Sequence, residues 1–278
     1  MTCIVSDSRR SPQGSHSCAV RRWGLSLIEA LAVVAIMSTL AGLLLPHLHS
    51  ARGHAKAAYC ANHLRQLLIA NVMYADVSRE QFAPAAREFL RNLERWHGAR
   101  EKLIDVFDPR LGLLTPFLGN EVSVRQCPSL PEGELDGKSG FERGCGGYGY
   151  NQRYIGRQTV DRSDGTHAVV TDRGGERMRR VRRPAETVMF GDAAFAGGSL
   201  IEYSFLEPRY HPEFVGFRSD PSTHFRHAGR ANLVWCDGHV DIREMTFAWH
   251  SGLYAEDPGR HSIGWFGDTD DNSLFDLR

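Results

Sequence analysis

The chain has 278 residues, with 33 basic and 33 acidic side chains, so its formal net charge is zero. That balance excludes a strong bulk attraction to nucleic acid or to an anionic surface, and we expect no nucleic-acid partner. Hydrophobic residues make up 42% and charged residues 24%, which is typical of a folded chain and not of a disordered one. The length fits two domains, or one large domain with an N-terminal appendage.

The first predicted element is an apolar segment at residues 25–45, in which Glu29 is the one charged residue. At about 1.5 Å per helical residue, this segment just spans a hydrocarbon core of roughly 30 Å, so we predict a transmembrane helix there. Four arginines and one aspartate precede the segment. This excess of positive charge predicts that residues 1–24 stay in the cytoplasm and that the C-terminal part lies outside the membrane.

Glu29 distinguishes three hypotheses for this N-terminus. A charge near the bilayer centre costs roughly 2.5–3.5 kcal/mol, so an ordinary anchor has no use for it. A cleaved export signal fits poorly because the apolar run is long and carries Glu29. A plain signal anchor explains neither Glu29 nor the glycine before the segment. Residues 24–29 read Gly-Leu-Ser-Leu-Ile-Glu. They resemble the type IV prepilin cleavage and methylation motif, whose usual form is Gly-Phe-Thr-Leu-Ile-Glu.

The resemblance implies that a prepilin peptidase cuts after Gly24 and methylates the new amine of Leu25. A glycine at this position lets the scissile backbone enter a narrow protease site. In a filament, the amine of one subunit would pair with Glu29 of a neighbour, so that two charges in an apolar setting neutralise each other. We therefore predict that Glu29 sets the register in which subunits assemble. Leu25 replaces the usual Phe and Ser26 the usual Thr, and both changes are mild.

Beyond the apolar segment, apolar residues recur at three- and four-residue spacing, which predicts an amphipathic continuation of the helix over residues 46–78. Residues 79–278 alternate short apolar stretches with Gly, Pro, Asp and Asn, and we interpret them as a periplasmic α+β pseudopilin-like domain. Within it we predict strands at 168–171, 187–190, 231–236 and 239–243, a helix at 86–96 and a glycine-rich loop at 127–154. The predicted fold class is α+β and pilin-like: a long N-terminal helix, transmembrane and then amphipathic, packed on a mainly antiparallel β-sheet domain.

The last two predicted strands form a C-terminal hairpin around Asp237-Gly238, a favoured two-residue type I′ turn. Nine residues separate His227 from Asp237. This spacing resembles the processing-associated domain of bacterial prepilin-like proteins, which is named for His, nine intervening residues and Asp-Gly. Short motifs at residues 62–67, 73–76, 127–129, 148–151 and 190–192 resemble the same group and occur in order along the chain.

His227, Asp237 and His239 raise a competing hypothesis, a membrane-tethered periplasmic metal-binding or enzymatic domain, since imidazole and carboxylate groups suit zinc. We favour structural roles, with Asp237 stabilising its own turn and His227 hydrogen-bonded beneath the hairpin. No catalytic motif is present in the sequence. We therefore predict a protein that is not an enzyme, with no catalytic residues.

Near the C-terminus, Asp268, Asp270 and Asn272 alternate oxygen ligands in the manner of a calcium loop. The glycine usual in such loops is replaced by Ser273, and no closing glutamate follows. A solvated acidic tail is our preferred interpretation, with calcium as the alternative. We otherwise expect no cofactor.

Two of the six cysteines, Cys3 and Cys18, belong to the predicted leader. The other four would face an oxidising compartment in which disulfides persist. Four cysteines allow three complete pairings, and the sequence alone cannot choose among them. We prefer Cys127 with Cys145, a pair that closes the glycine-rich loop.

Together these features predict a structural subunit of a type II secretion pseudopilus or a type IV pilus-like filament. The resemblance implies that it is a single-pass protein of the bacterial inner membrane with a periplasmic C-terminal domain. The implied partners are a prepilin peptidase, other pilin or pseudopilin subunits bound through the N-terminal helix, and the inner membrane itself.

Overall fold

A computed structural model of the chain describes residues 26–119, 121–130, 142–254 and 256–278. The chain divides into two compact units, Met1–His49 and Ser50–Arg278. One α-helix, α1, runs over Leu27–Val77. The predicted leader, residues 1–24, and Leu25 lie outside the described residues.

Thirteen short strands follow α1 in the described part of the chain. They are β1 (Ala86–Arg87), β2 (Glu94–Arg95), β3 (Gly98–Ala99), β4 (Tyr148–Tyr150), β5 (Gln158–Asp161), β6 (His167–Thr171), β7 (Val188–Asp192), β8 (Phe195–Ala196), β9 (Leu200–Ile201), β10 (Thr223–His224), β11 (Arg230–Trp235), β12 (Val240–Glu244) and β13 (Ile263–Gly264). Short 3-10 helices cover Phe89–Arg91, Pro109–Leu111, Thr115–Leu118, Ser123–Arg125, Met178–Arg180 and Pro258–His261.

The predicted pilin-like fold class is wrong. In the described residues the strands are two to six residues long, and they divide among five small sheets. Glycines and positive φ angles recur between many of the strands, as at Glu88, Gly165 and Gly238, and interrupt the extended backbone there. What the structure shows is a modest α+β mixture of one helix and several small antiparallel sheets.

The transmembrane part of that prediction is also corrected. Among the described residues, no helix combines the length and the apolar character that a membrane crossing needs.

The core of the second unit lies between the C-terminal half of α1 and the largest sheet, whose strand order is β12-β11-β7-β4. Leu64 and Leu67 of the helix are fully buried and share one hydrophobic cluster with Phe190 of β7 and Val234 of β11. Their spacing of three residues places both leucines on one face of the helix. This packing brings α1 close to the strand ends that carry the candidate site.

The local predictions had mixed outcomes. Strands lie close to the four predicted ranges, as β6, β7, β11 and β12. The helix predicted at 86–96 is wrong, because Glu88 and Asn92 both have left-handed backbone angles and only one 3-10 turn forms between them.

The glycine-rich loop predicted at 127–154 contains the buried strand β4. Gly149 is required there, since a Cβ atom would lie 2.7 Å from both the backbone oxygen of Phe205 and the Cβ of Ala193. Because Gly149 has no side chain, Phe205 and Ala193 can pack closely against this edge of the sheet.

Strands β11 and β12 form the C-terminal hairpin, with Val234 opposite Val240. The backbone N–H of Trp235 donates to the carbonyl of His239, so the loop has three residues, Cys236, Asp237 and Gly238, and not two. Gly238 has φ +98°. This is the pattern of a turn closed by a left-handed residue, and it corrects the predicted type I′ turn.

Candidate functional site

The candidate site is a buried group of five side chains, Cys60, Cys127, Asp192, Arg226 and His227, which we call the thiol–carboxylate cluster. Cys60 lies on α1, and Cys127 follows the 3-10 helix Ser123–Arg125. Asp192 ends β7, while Arg226 and His227 precede β11. Because β7 and β11 are paired, they bring the last three residues together. The packing of α1 on the sheet then adds Cys60.

Asp192 is the fully buried centre of this cluster. Its Oδ1 accepts a hydrogen bond from Arg226 Nη2 at 2.8 Å. Its Oδ2 lies 3.2 Å from His227 Nε2 and accepts from the backbone N–H of Asn232 at 2.7 Å. Burial alone would raise the pKa of Asp192, but Arg226 and His227 outweigh it, so that the pKa lies below its usual value. The carboxylate is therefore charged and fully paired, which is what a buried charge requires.

His227 is protonated in this environment. Burial lowers the pKa of an imidazole, but hydrogen bonds to Asp192 and Cys127 raise that of His227 to about 9. Its Nε2 lies 3.8 Å from Cys127 Sγ.

Cys127 is the thiolate of the cluster. Its Sγ lies 2.9 Å from Cys60 Sγ and accepts a hydrogen bond from Arg226 Nε at 3.2 Å. The hydrogen bond from the Cys60 thiol, with the charges of Arg226 and His227, lowers the pKa of Cys127 despite burial. The same contact raises the pKa of Cys60. Since both cations contact Cys127 and not Cys60, the negative charge belongs on Cys127.

The cysteine pairing differs from the prediction. The sulfur beside Cys127 is that of Cys60, which is 67 residues earlier in the chain. Cys145, the predicted partner, is buried and has a free thiol, as have the other described cysteines. In this structure Cys127 and Cys145 are not joined, and the neighbour of Cys127 is Cys60.

Among the described residues, Cys60, Cys127 and His227 form the one group of three that could hold a metal ion, with ligand atoms within 4.8 Å of one another. Two sulfurs bound to a tetrahedral zinc at about 2.3 Å are separated by about 3.7 Å. The observed separation of 2.9 Å is shorter. The sulfurs would have to move apart to admit zinc, so the donor set suits the metal but the sulfur spacing does not.

The three residues of the competing metal-site hypothesis are not brought together. His227 precedes β11 and Asp237 follows it, so a six-residue strand lies between them. At about 3.3 Å per residue, that strand measures about 20 Å. Asp237 instead accepts hydrogen bonds from the backbone N–H of His239 at 3.1 Å and from its ring at 2.6 Å. These contacts stabilise the turn and leave no shared site with His227.

The predicted calcium ligands have protein partners instead. Asp270 accepts hydrogen bonds from Arg218 at 2.6 and 2.9 Å. The Asn272 side chain donates to the hydroxyl of Tyr154 at 2.8 Å, while Asp268 is exposed. The oxygens of Asp270 and Asn272 also accept hydrogen bonds from Tyr210, at 3.1 Å from its hydroxyl and at 2.9 Å from its backbone N–H. Both side chains are thus engaged by protein donors.

Glu29 has a defined local role at the start of α1. Its Oε2 accepts hydrogen bonds from the backbone N–H of Ser26 at 2.8 Å and from the Ser26 hydroxyl at 3.0 Å. The Glu29 N–H donates to the same hydroxyl at 3.3 Å. This is a capping box, in which a serine and a glutamate three residues apart satisfy free N–H groups of the first helical turn. Gly24 and Leu25, the predicted processing residues, lie outside the described residues.

Sequence reasoning gave no role to Asp192 or Arg226, although residues 190–192 were singled out as a motif. The available signal was the order of the motifs: residues 62–67 follow Cys60, 127–129 begin with Cys127, and 190–192 end at Asp192. Two of these motifs contribute Cys127 and Asp192 to the thiol–carboxylate cluster, and the third lies two residues after Cys60. Comparison with known proteins found no protein-family model, no curated protein and no solved structure that matches this chain.

Proposed function

We propose that this chain is a prepilin-like structural subunit, cut after Gly24, N-methylated on Leu25 and incorporated into a type II secretion pseudopilus or a type IV pilus-like filament. One observation carries the proposal: the prepilin-type motif at residues 24–29 leads directly into a helix whose apolar side chains are exposed. Its role is assembly and not catalysis.

The exposed side chains of this helix are numerous. Every described residue from 26 to 43 is exposed. The large hydrophobic ones among them are Leu27, Ile28, Leu31, Val33, Val34, Ile36, Met37, Leu40 and Leu43. An apolar surface of this extent is a mark of an interaction site. Each such side chain contributes about 1.5–3 kcal/mol when it is fully buried, which is a large driving force for packing against neighbouring subunits.

Glu29 fits both its local role and the proposed one. Both hydrogen bonds from Ser26 end on Oε2. Within the described residues, Oε1 has no hydrogen-bond partner, so it can receive the methylated amine of Leu25 from a neighbouring subunit. The amine exists only after cleavage, and this would couple assembly to processing.

The proposal implies a prepilin peptidase at the bacterial inner membrane as the first partner and other pilin or pseudopilin subunits as the next. It places the folded second unit, residues 50–278, in the periplasm.

The processing step is tested by Gly24→Val, which places a branched side chain next to the scissile bond. When the full chain is co-produced with a prepilin peptidase, this variant should keep the mass of the uncut chain. The matched control is Gly14→Val, a change in the leader away from the cut, and it should be processed like the wild type. If Gly24→Val is cut as fast as the control, the proposed cleavage site is wrong.

The assembly step is tested at Glu29, with Gln as the matched substitution. Glutamine retains a capping box but has no charge. If charge pairing sets the register, Glu29→Gln and Glu29→Ala should both lose at least tenfold in filament incorporation while processing continues. Incorporation of Glu29→Gln at the wild-type level would show that Glu29 acts only as a cap.

A further inference from the structure

We propose that Cys60 and Cys127 are a thiol pair that closes into a disulfide by exchange, with Cys127 reacting first and Cys60 second. The two sulfurs lie 2.9 Å apart, and both residues are buried. A disulfide needs about 2.04 Å between the sulfurs, so closure needs a shift of less than 1 Å. A zinc ion would instead require the sulfurs to separate.

The order of reaction follows from the charges around the two sulfurs. Arg226 Nε donates to Cys127 Sγ at 3.2 Å, and His227 Nε2 lies 3.8 Å from it. Two cations beside one sulfur favour its thiolate, and the thiolate is the nucleophile in disulfide exchange. Asp192 pairs with both cations and holds them in place. Cys60 keeps its proton because it donates to Cys127.

Access to the two sulfurs supports the same order. Cys127 lines a surface cavity of about 270 Å³ together with Tyr59, Pro128, Leu130 and Glu202. Cys60 is fully buried and is not part of that cavity wall. A disulfide donor can therefore approach Cys127 through this cavity, whereas Cys60 has no exposed surface.

The reaction balances as two exchanges with a donor disulfide, carried by a disulfide-exchange protein or by oxidised glutathione. In the first, the Cys127 thiolate attacks one donor sulfur, the donor S–S bond breaks, and one donor thiolate leaves and takes up a proton. In the second, Cys60 attacks Cys127 Sγ, the bond between Cys127 and the donor sulfur breaks, and the second donor sulfur leaves with the proton that Cys60 gives up. Two protein thiols are oxidised, and the donor disulfide is reduced to two thiols.

The bond would join α1 to the loop after the 3-10 helix Ser123–Arg125, across 67 residues of sequence. It would form in any oxidising compartment, whether or not the chain enters a filament. Its consequence is a helix whose position on the second unit is fixed covalently.

The test uses the full chain with Cys3→Ser and Cys18→Ser, so that leader thiols take no part. The folded protein is incubated with oxidised glutathione, free thiols are blocked with N-ethylmaleimide, and the peptides are mapped by mass spectrometry. The expected result is a Cys60–Cys127 linked peptide that disappears on reduction, with Cys145 and Cys236 blocked. Cys145→Ser and Cys236→Ser are matched controls that should retain the linked peptide.

Two further variants test the order. Cys60→Ser should accumulate glutathione on Cys127, because the resolving thiol is missing. Cys127→Ser should take up at least tenfold less glutathione on Cys60. Three results would overturn the proposal. The first is that Cys60 and Cys127 both carry N-ethylmaleimide after the wild-type pair has been exposed to oxidised glutathione, and the second is a Cys127–Cys145 linked peptide. The third is about one zinc ion per chain that is lost in both variants. The wild-type map decides the pairing even if a variant fails to fold.

Discussion

The two halves of α1 contain the same kinds of apolar residue but differ in what covers them. Leu31 in the first half is 61% exposed, whereas Leu67 in the second is 0% exposed. Residues 50–278 thus provide their own hydrophobic core, while residues 26–43 are left with an apolar surface. A helical pattern of apolar residues therefore indicates that a helix forms, but it does not indicate whether the surface that covers the helix belongs to the same chain. The second half of α1 therefore stabilises the fold. Under the proposed function, the first half packs against other subunits.

We expect the largest loss of unfolding free energy from a substitution of Asp192, in the second unit. Asp192→Asn removes the charge that pairs with Arg226 and His227 and leaves both cations buried. Breaking a buried pair in this way typically costs about 3–5 kcal/mol of unfolding free energy. Urea unfolding of the full chain measures it. The control is Asp241→Asn at the exposed pair with Arg243, where we expect a loss of about 1 kcal/mol or less. Equal losses of unfolding free energy for the two variants would show that Asp192 stabilises the fold no more than an exposed ion pair does.

Shortening one leucine in each half of α1 to alanine tests whether only the second half is covered by its own chain. Leu67→Ala opens a cavity in the core and should cost about 2–5 kcal/mol in the same unfolding experiment. Leu31→Ala removes an exposed side chain and should change stability by no more than about 0.5 kcal/mol. In a filament incorporation assay Leu31→Ala should be the damaging change. A large loss of folding stability for Leu31→Ala would show that this half is covered by its own chain.

Oxidation of the cysteine pair should stabilise only the second unit. A disulfide across a loop of this length typically contributes about 2–4 kcal/mol. The midpoint of thermal unfolding, measured with and without reductant, should be higher for the oxidised chain. Cys60→Ser should show no such dependence on reductant. If both chains respond equally, the stabilisation has another source.

The smallest change that we expect is a dependence of the unfolding free energy on pH, caused by titration of His227. Its pKa of about 9 in the folded chain exceeds the ordinary 6.5. Its contribution is therefore fully present below about pH 6.5 and is lost as the pH rises through 9. The measurement uses a Cys127→Ser background, because the lowered pKa of Cys127 makes its own contribution grow with pH. This substitution also removes one of the two groups that raise the pKa of His227 and leaves Asp192 as the other, so we expect a smaller decline than the wild-type pKa implies.

In that background, unfolding free energy should fall by about 1–2 kcal/mol between pH 6.5 and pH 9.5 through this histidine. Adding His227→Gln removes the titrating group and should flatten the decline. A decline of the same size in both proteins would assign the pH dependence to other residues.

Local patterns predicted the parts of the fold that depend on neighbours in sequence. The helix periodicity and the short apolar stretches that form β7 and β11 are of this kind. The helix predicted at 86–96 failed because Glu88 and Asn92 adopt left-handed angles, which tertiary contacts impose and composition does not reveal. Strand β4 was missed because a glycine-rich stretch resembles a loop until its close packing is known.

The candidate site was harder to predict because its residues meet only through the tertiary fold. Cys60 and Cys127 are 67 residues apart, and Asp192 reaches His227 across a strand pair. Nothing in the local spacing of either cysteine distinguishes this pair from the alternatives. His227 was singled out from a motif, but its partners are Asp192 and Cys127 and not the turn residues Asp237 and His239.

The most direct test of the central claim is the mass of the N-terminal peptide of the protein isolated from its native membranes. The proposed function predicts a mature chain that begins with N-methyl-Leu25 and lacks residues 1–24. An intact chain beginning at Met1 would contradict it.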